Sequence, residues 1–424
     1  VSYDWNQPEA ALLHLHQGVQ FQDETLRDGL QCPSVHDPPV EAKLEILHLM
    51  EALGIHGADV GLPGAGPRAL ADTTRLVAEI ADQRLALKPS CAGRTHRADI
   101  DPIAQVADRT GVVLEADLFL GSSPIRLYAE GWDLDRLLRM TDEAVSYAVQ
   151  RGLEVMFVTE DTVRSHPQVL RRLYTTAIEC GARRICLCDT VGHATPEGVE
   201  ALVSLAREIV AASGEDVQID WHGHRDRGLD VINTLTALQA GVHRIHGTAL
   251  GVGERVGNTP MDQLLLNLKL LGVIDNDLRR LPDYVQTVSR AYRVPLPPNW
   301  PALGADVYRA RSEVACEASL QALLRGDAEL AERLWSAVPA SLVGRELCPD
   351  VGPGSGESTV RWWLHQRGLE AGPEEVGRVL TRARQAGRTL EVEEILEEVR
   401  GGSPTHRVLR RPLRVPSRRE DHGG

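Results

Sequence analysis

Residues 184–226 read RICLCDTVGHATPEGVEALVSLAREIVAASGEDVQIDWHGHRD. A short apolar run, Arg184–Cys188, leads into a polar turn, Asp189-Thr190-Val191-Gly192. A helical pattern then fills Pro196–Ala212, and a second apolar run follows at Val217–Trp221. Short β-rich runs bounded by turn residues and separated by a helical period spell strand, helix, strand. Working outward, the same kind of run recurs at Val19–Asp23, Gly57–Gly61, Arg84–Pro89, Val112–Leu118, Glu154–Val158 and Val242–Thr248, and helical stretches such as Glu41–Leu53 fill the gaps. Strands alternating with helices imply a parallel sheet covered by helices, and about eight such units in about 250 residues favour closure into a (β/α)8 barrel. An open doubly wound sheet is the rival, but the runs continue past six and no GxGxxG follows the first.

Beyond about residue 275 the rhythm changes to helical segments broken by Pro295–Pro301 and by a Gly-rich stretch, Val351–Ser358. The expected organisation is an N-terminal arm over 1–17, a barrel over 18–275, a smaller, mainly helical appendage over 276–403 and a disordered basic tail over 404–424. Arg407, Arg410, Arg411, Arg414, Arg418 and Arg419 fall in that tail, with too few apolar neighbours to pack.

The 424 residues include 46 basic and 60 acidic side chains, a net charge of −14. That balance repels phosphate backbones and anionic membranes, so neither is an expected partner. Seven cysteines without paired spacing read as the reduced thiols of a cytoplasmic protein. Cys186 and Cys188 share one strand face, where ordinary burial outweighs a metal or redox role. No window approaches the roughly 18 apolar residues of a membrane helix, and the N-terminus lacks a secretory pattern.

In a barrel of this kind the working residues gather just after the strands. The first run ends in Asp23-Glu24-Thr25-Leu26-Arg27-Asp28-Gly29-Leu30-Gln31, and the seventh in His222-Gly223-His224-Arg225-Asp226. Two histidines at i and i+2 on a strand point to one side, and two imidazoles with one carboxylate hold a divalent ion while leaving positions open for substrate. An HxH pair alone is a weak pattern, better read by itself as hydrogen-bonded strand-end histidines. Its place after a late strand, with Arg27-Asp28 after the first, strengthens the ligand reading. Asp189-Thr190 and Glu160-Asp161 by themselves read as helix caps in βα loops.

Together Asp23–Gln31, Glu160-Asp161, Asp189–Gly192, His222–His224 and Gly251-Val252-Gly253-Glu254-Arg255-Val256-Gly257-Asn258 resemble, in order and spacing, the 2-isopropylmalate synthase and homocitrate synthase family. Its superfamily also contains 3-hydroxy-3-methylglutaryl-CoA lyase. The resemblance spans roughly residues 18 to 275 and implies a TIM barrel that condenses a thioester, acetyl-CoA, with a 2-oxo acid, using a divalent Zn, Mg or Mn ion in a homodimer. By the same resemblance Asp28, His222 and His224 match the metal ligands and Asn258 a polar residue at the metal. Arg27 matches the arginine that stabilises an enolate-like oxygen, and Glu160 the catalytic glutamate. Gln31, Arg94, Arg126, Thr190 and Arg225 are the candidate substrate-binding residues.

The departures are informative. Arg225 stands where these synthases usually carry Asn, Arg126 where they carry His, and Asp59 where they tend to have Glu. Added guanidinium charge beside the metal would favour a dianionic substrate. In the appendage, Asp306–Glu313 lacks the expected histidine and Trp335 replaces an expected tyrosine, with Tyr308 a substitute or a core residue. About seventy residues follow Gly356, too few for a leucine-sensing domain. Two alternatives stay open: a lyase or aldolase running the cleavage direction, against which the loop Gly251–Asn258 has the synthase form, and a catalytically inactive binding homologue.

Overall fold

In the computed structural model, which describes residues 18–401, the eight runs form eight parallel strands. They are β1 (Gln20–Asp23), β2 (Gly57–Asp59), β3 (Lys88–Arg94), β4 (Glu115–Gly121), β5 (Glu154–Glu160), β6 (Arg184–Asp189), β7 (Gln218–Gly223) and β8 (Arg244–Gly247). Each pairs with its sequence neighbour, and β8 closes onto β1 with Gln20 opposite Arg244 and Asp23 opposite Gly247. This is a TIM barrel, and the doubly wound rival is excluded.

Two strands start later than the sequence suggests. Arg84 takes a left-handed φ of 54° that ends the preceding helix, and β3 itself reads Lys-Pro-Ser-Cys-Ala-Gly-Arg, small and polar residues with no apolar signal. Gly111, at φ 69°, likewise ends a helix, and β4 begins only at Glu115 although Val112–Leu114 is apolar.

The helices of this unit are α1 (Val40–Ala52), α2 (Pro67–Gln83), α3 (Arg97–Thr110), α4 (Pro124–Glu130), α5 (Leu134–Gln150), α6 (Pro167–Glu179), α7 (Pro196–Ser213), α8 (Asp230–Ala240), α9 (Met261–Leu270) and α10 (Leu281–Tyr292). Proline opens α2, α4, α6 and α7, where its missing N–H costs nothing and its fixed φ is already helical. Thr195 caps α7 by accepting the Gly198 N–H at 3.4 Å.

Strand alternation sorts the core into two chemistries. Leu118, Phe157, Leu187, Trp221 and Ile245 are buried on the side facing the helices. The alternate positions, among them Asp117, Met156, Cys186, Asp220, His222 and Arg244, face the lumen, which is strongly polar. At the N-terminal ends of the strands that polarity forms a plug. Asp220 accepts from Arg184 Nη1 at 2.7 Å and from Arg244 Nε at 2.6 Å, and both arginines also bind Glu115.

The first compact unit runs to Leu296, about twenty residues past the expected barrel boundary. The reason is α10, whose Tyr284 and Tyr292 are fully buried against β1 and the turn after it. Tyr284 OH donates to Asp23 Oδ2, and Tyr292 OH to the Thr25 carbonyl at 2.6 Å.

The second unit, from Pro297, carries α11 (Glu313–Leu324), α12 (Ala328–Trp335), α13 (Glu357–Gln366), α14 (Pro373–Ala386) and α15 (Val392–Arg400), with a two-stranded pairing of Arg309–Ala310 and Cys348–Pro349. Its core is built from Val360, Trp363, Leu364, Val379 and Ile395. Tyr308 is 2% exposed beneath the Arg345 guanidinium, a packing position, and Trp335 Nε1 donates to the Val307 carbonyl at 2.9 Å. Glu313 accepts the N–H groups of Ser358 and Thr359 and so caps α13. The expected arm over 1–17 and tail over 404–424 lie outside the described residues. Among the described residues no helix is long and apolar enough to cross a membrane.

Candidate metal centre

Asp28 sits in the first turn after β1, and His222 and His224 at and just past the end of β7. Their ligand atoms converge. His222 Nε2 lies 3.0 Å from His224 Nε2, and Asp28 Oδ2 lies 3.6 Å and 3.8 Å from the two. Donors bound to one ion at about 2.0–2.2 Å stand about this far apart, so the spacing fits a shared cation.

The far side of each ring is anchored. His224 Nδ1 lies 3.2 Å from the Gly257 carbonyl, and His222 Nδ1 lies 2.7 Å from Glu24 Oε2. Holding Nδ1 leaves Nε2 to face the ion. Asn258 donates to Asp28 Oδ2 at 3.2 Å, while its own Oδ1 is buried with no hydrogen-bond partner. A buried acceptor left bare costs about 1–3 kcal/mol, and a cation beside the three ligands would satisfy it. The donor set therefore fits a divalent metal.

The loop carrying Asn258 is built around its glycines. A Cβ on Gly253 would fall 1.8 Å from Asn258 Oδ1, and one on Gly257, at φ 101°, would fall 1.8 Å from the Gly251 carbonyl. No other residue lets the loop close over Asp28.

Charge around the ligands is arranged in opposition. Burial alone would depress the His222 imidazole, but the Glu24 carboxylate overrides it and carries the group up to about 9. Burial and the His222 charge push His224 down to about 4. Arg27 stands beside the ligands with three carboxylates around it: Nε donates to Asp59 Oδ2 at 2.7 Å, Nη2 to Glu24 Oε1 at 2.9 Å and Nη1 to Asp28 Oδ2 at 3.2 Å. Burial raises Asp59 to about 6 despite that guanidinium.

The other sequence candidates are divided by the fold. Gln31, Glu160 and Thr190 line the same pocket as Arg27 and the ligands. Burial raises the Glu160 carboxyl even though Arg126 opposes the shift from 3.4 Å. Thr190 Oγ1 accepts the Asp161 N–H at 2.8 Å, and Asp189 accepts the N–H groups of His193 and Ala194 as a turn holder.

The candidate substrate-binding arginines lie outside that lining. Arg94 is bidentate to Asp99 and its side chain is 67% exposed; Arg126, on α4 rather than in a strand, pairs with Glu130 at 2.8 Å. Both line a neighbouring pocket that shares Phe119 and Glu160 with the first. Arg225 runs along the glycine loop, where a Cβ on Gly251 would meet its Nη1 at 2.9 Å. Neither Arg126 nor Arg225 is among the described residues that line the pocket beside the ligands, although Arg126 reaches Glu160 in its wall at 3.4 Å. Cys186 and Cys188 are free, their sulfurs 3.8 Å apart in the pocket wall. The sequence reading missed Glu24, His246 and Asp117, which also line this pocket.

Residues 18–288 match the HMGL-like family profile. The chain belongs to the HMGL-like family. Homocitrate synthase AksA of Methanopyrus kandleri is 32% identical over 91% of this chain and 93% of that protein. Two further proteins of that organism, carrying the provisional names of an (R)-citramalate synthase, CimA, and a 2-isopropylmalate synthase, are each 30% identical over 87% of this chain and 69% and 70% of theirs. The HMG-CoA lyase of Bacillus subtilis superposes with a TM-score of 0.55 at 22% identity, covering 66% of this chain and 96% of that one, which shows the shared fold.

Proposed function

We propose that this enzyme condenses acetyl-CoA with a 2-oxo acid, with Asp28, His222 and His224 holding a divalent ion and Asn258 beside them. The observation that carries the reading is the convergence of those three ligand atoms within 3.8 Å beside a guanidinium fixed by three carboxylates. Similarity to proteins named as synthases along nearly the whole chain supports the synthetic direction.

When bound, the ion supplies Lewis acidity toward the oxo acid's carbonyl. Arg27 neutralises negative charge developing on oxygen, and it does so without losing a proton. Glu160, its carboxyl raised by burial, takes a proton from the thioester methyl. The resulting carbanion equivalent attacks the ketone carbon, forming the carbon-carbon bond, and hydrolysis of the product thioester releases CoA as a free thiol. Gln31 and Thr190 line the same pocket, which supports assigning them contacts to the oxo acid. Arg94 and Arg126 border the neighbouring pocket, each paired with a carboxylate. The family resemblance supports a homodimer, and the unpaired cysteines support a cytoplasmic place.

The test uses full-length protein stripped of metal and reloaded with Mg, Mn or Zn, incubated with acetyl-CoA and a panel of 2-oxo acids while free thiol is measured. Release that requires an oxo acid and a metal, and that disappears in H224A, is expected. Cleavage of a 3-hydroxyacyl-CoA without oxo-acid-dependent release would replace synthesis with the lyase reading, and inertness toward the whole panel would favour a binding role.

A further inference from the structure

Glu24 follows β1 and is buried at the centre of a polar chain that runs down the barrel. Its Oε1 accepts from Arg27 Nη2 at 2.9 Å and faces His246 Nδ1 at 3.0 Å. Its Oε2, which has no aligned hydrogen bond, lies 2.7 Å from His222 Nδ1. Below it, His246 Nε2 faces Asp220 Oδ2 at 2.9 Å, and Asp220 is clamped by Arg184 and Arg244. One carboxylate thus touches a metal ligand with one oxygen and the oxyanion-facing arginine with the other.

The two ligand imidazoles differ in how they are held. His224 is pinned through Nδ1 by a main-chain carbonyl, which no side-chain substitution removes. His222 depends for the same service on the side chain of Glu24. A bare buried carboxylate oxygen is costly, and the imidazole N–H beside it is the donor placed to satisfy it. Outer partners of this kind fix ring orientation and ligand basicity.

The geometry points to Glu24 as the positioning residue of the metal centre: it sets the His222 ring and the Arg27 guanidinium relative to one another, braced from below by His246 and Asp220. The inference rests on the proposed function only in requiring that an ion be held by Asp28, His222 and His224.

The experiment measures Mn(II) or Zn(II) affinity of metal-stripped full-length protein by competition with a chromophoric chelator, together with thermal unfolding of stripped and loaded samples. E24Q keeps the shape but turns one acceptor into a donor facing His222 or the Arg27 and His246 pair. It is expected to bind metal about 10- to 100-fold more weakly and to show a smaller metal-induced rise in Tm. E24D, which restores the charge, recovers part of the loss, whereas a merely structural role would lower Tm of stripped and loaded protein alike and leave affinity alone. A folded E24Q with parental affinity overturns the proposal. If E24Q does not fold, H246Q decides: a folded H246Q with weakened affinity supports the brace, and unchanged affinity overturns it. Because the readout is metal binding, an enzyme inert toward every oxo acid would sink the condensation reading and leave this one standing.

Discussion

Arg27 is held by three carboxylates yet lines the pocket beside the proposed metal ligands, so its charge is fixed before substrate arrives. Lysine would keep one positive charge but lose the fork that engages Asp59, Glu24 and Asp28 at once. R27K is therefore expected to lower kcat about 10²- to 10³-fold, the cost of losing a preorganised oxyanion donor. Its metal affinity should change far less, and steady-state kinetics with a chelator titration check both. At this scale the sequence exposes Asp28, His222 and His224 because HxH and Arg-Asp are local patterns. Glu24 sits in the same quoted stretch as Arg27, but its meaning comes from His222 and His246, roughly two hundred residues away, and only barrel closure brings them together. Arg126 and Arg225 show the opposite case. Their charge is plain in the sequence, whereas the carboxylates and the glycine loop that occupy them are set by folding.

Helix α10 shows what element-level reading loses. Its apolar face is legible, but the tie that makes it part of the barrel is a tyrosine hydroxyl reaching Asp23 across some 260 positions. That tie is pH-sensitive. Burial raises Asp23 from an ordinary 3.8 to about 6 despite the hydrogen bonds from Thr25 and Tyr284. A carboxyl raised in the folded state lends stability that is complete below about 4 and is lost as pH rises through about 6, with a limiting slope of about 1.4 kcal/mol per pH unit. Relative to D23N, the wild-type barrel is expected to lose Tm between pH 4 and 6, by calorimetry on matched samples. A parallel course for the two proteins would remove the effect. Strand β3 was misplaced for a different physical reason. Lys-Pro-Ser-Cys-Ala-Gly-Arg carries no apolar run, and its strand character comes from its neighbours β2 and β4.

Across the whole molecule, the eightfold alternation was legible because each outward strand face must bury apolar side chains under helices, and that demand repeats in the sequence. The polar plug at the far end was not, since Glu115, Arg184, Asp220 and Arg244 come from four different strands. Removing one member of a buried charge cluster leaves the others uncompensated. R244M is therefore expected to cost about 3–5 kcal/mol, read as a lower Tm of the barrel with Asp220 and Glu115 left to share Arg184 alone among the arginines.

That plug also decides traffic. With the bottom of the lumen stoppered by ion pairs, the vestibule above is a cul-de-sac, and both reactants share one doorway. The reactant that sits deeper is therefore expected to bind first, and random addition in initial-rate kinetics would count against a single entrance.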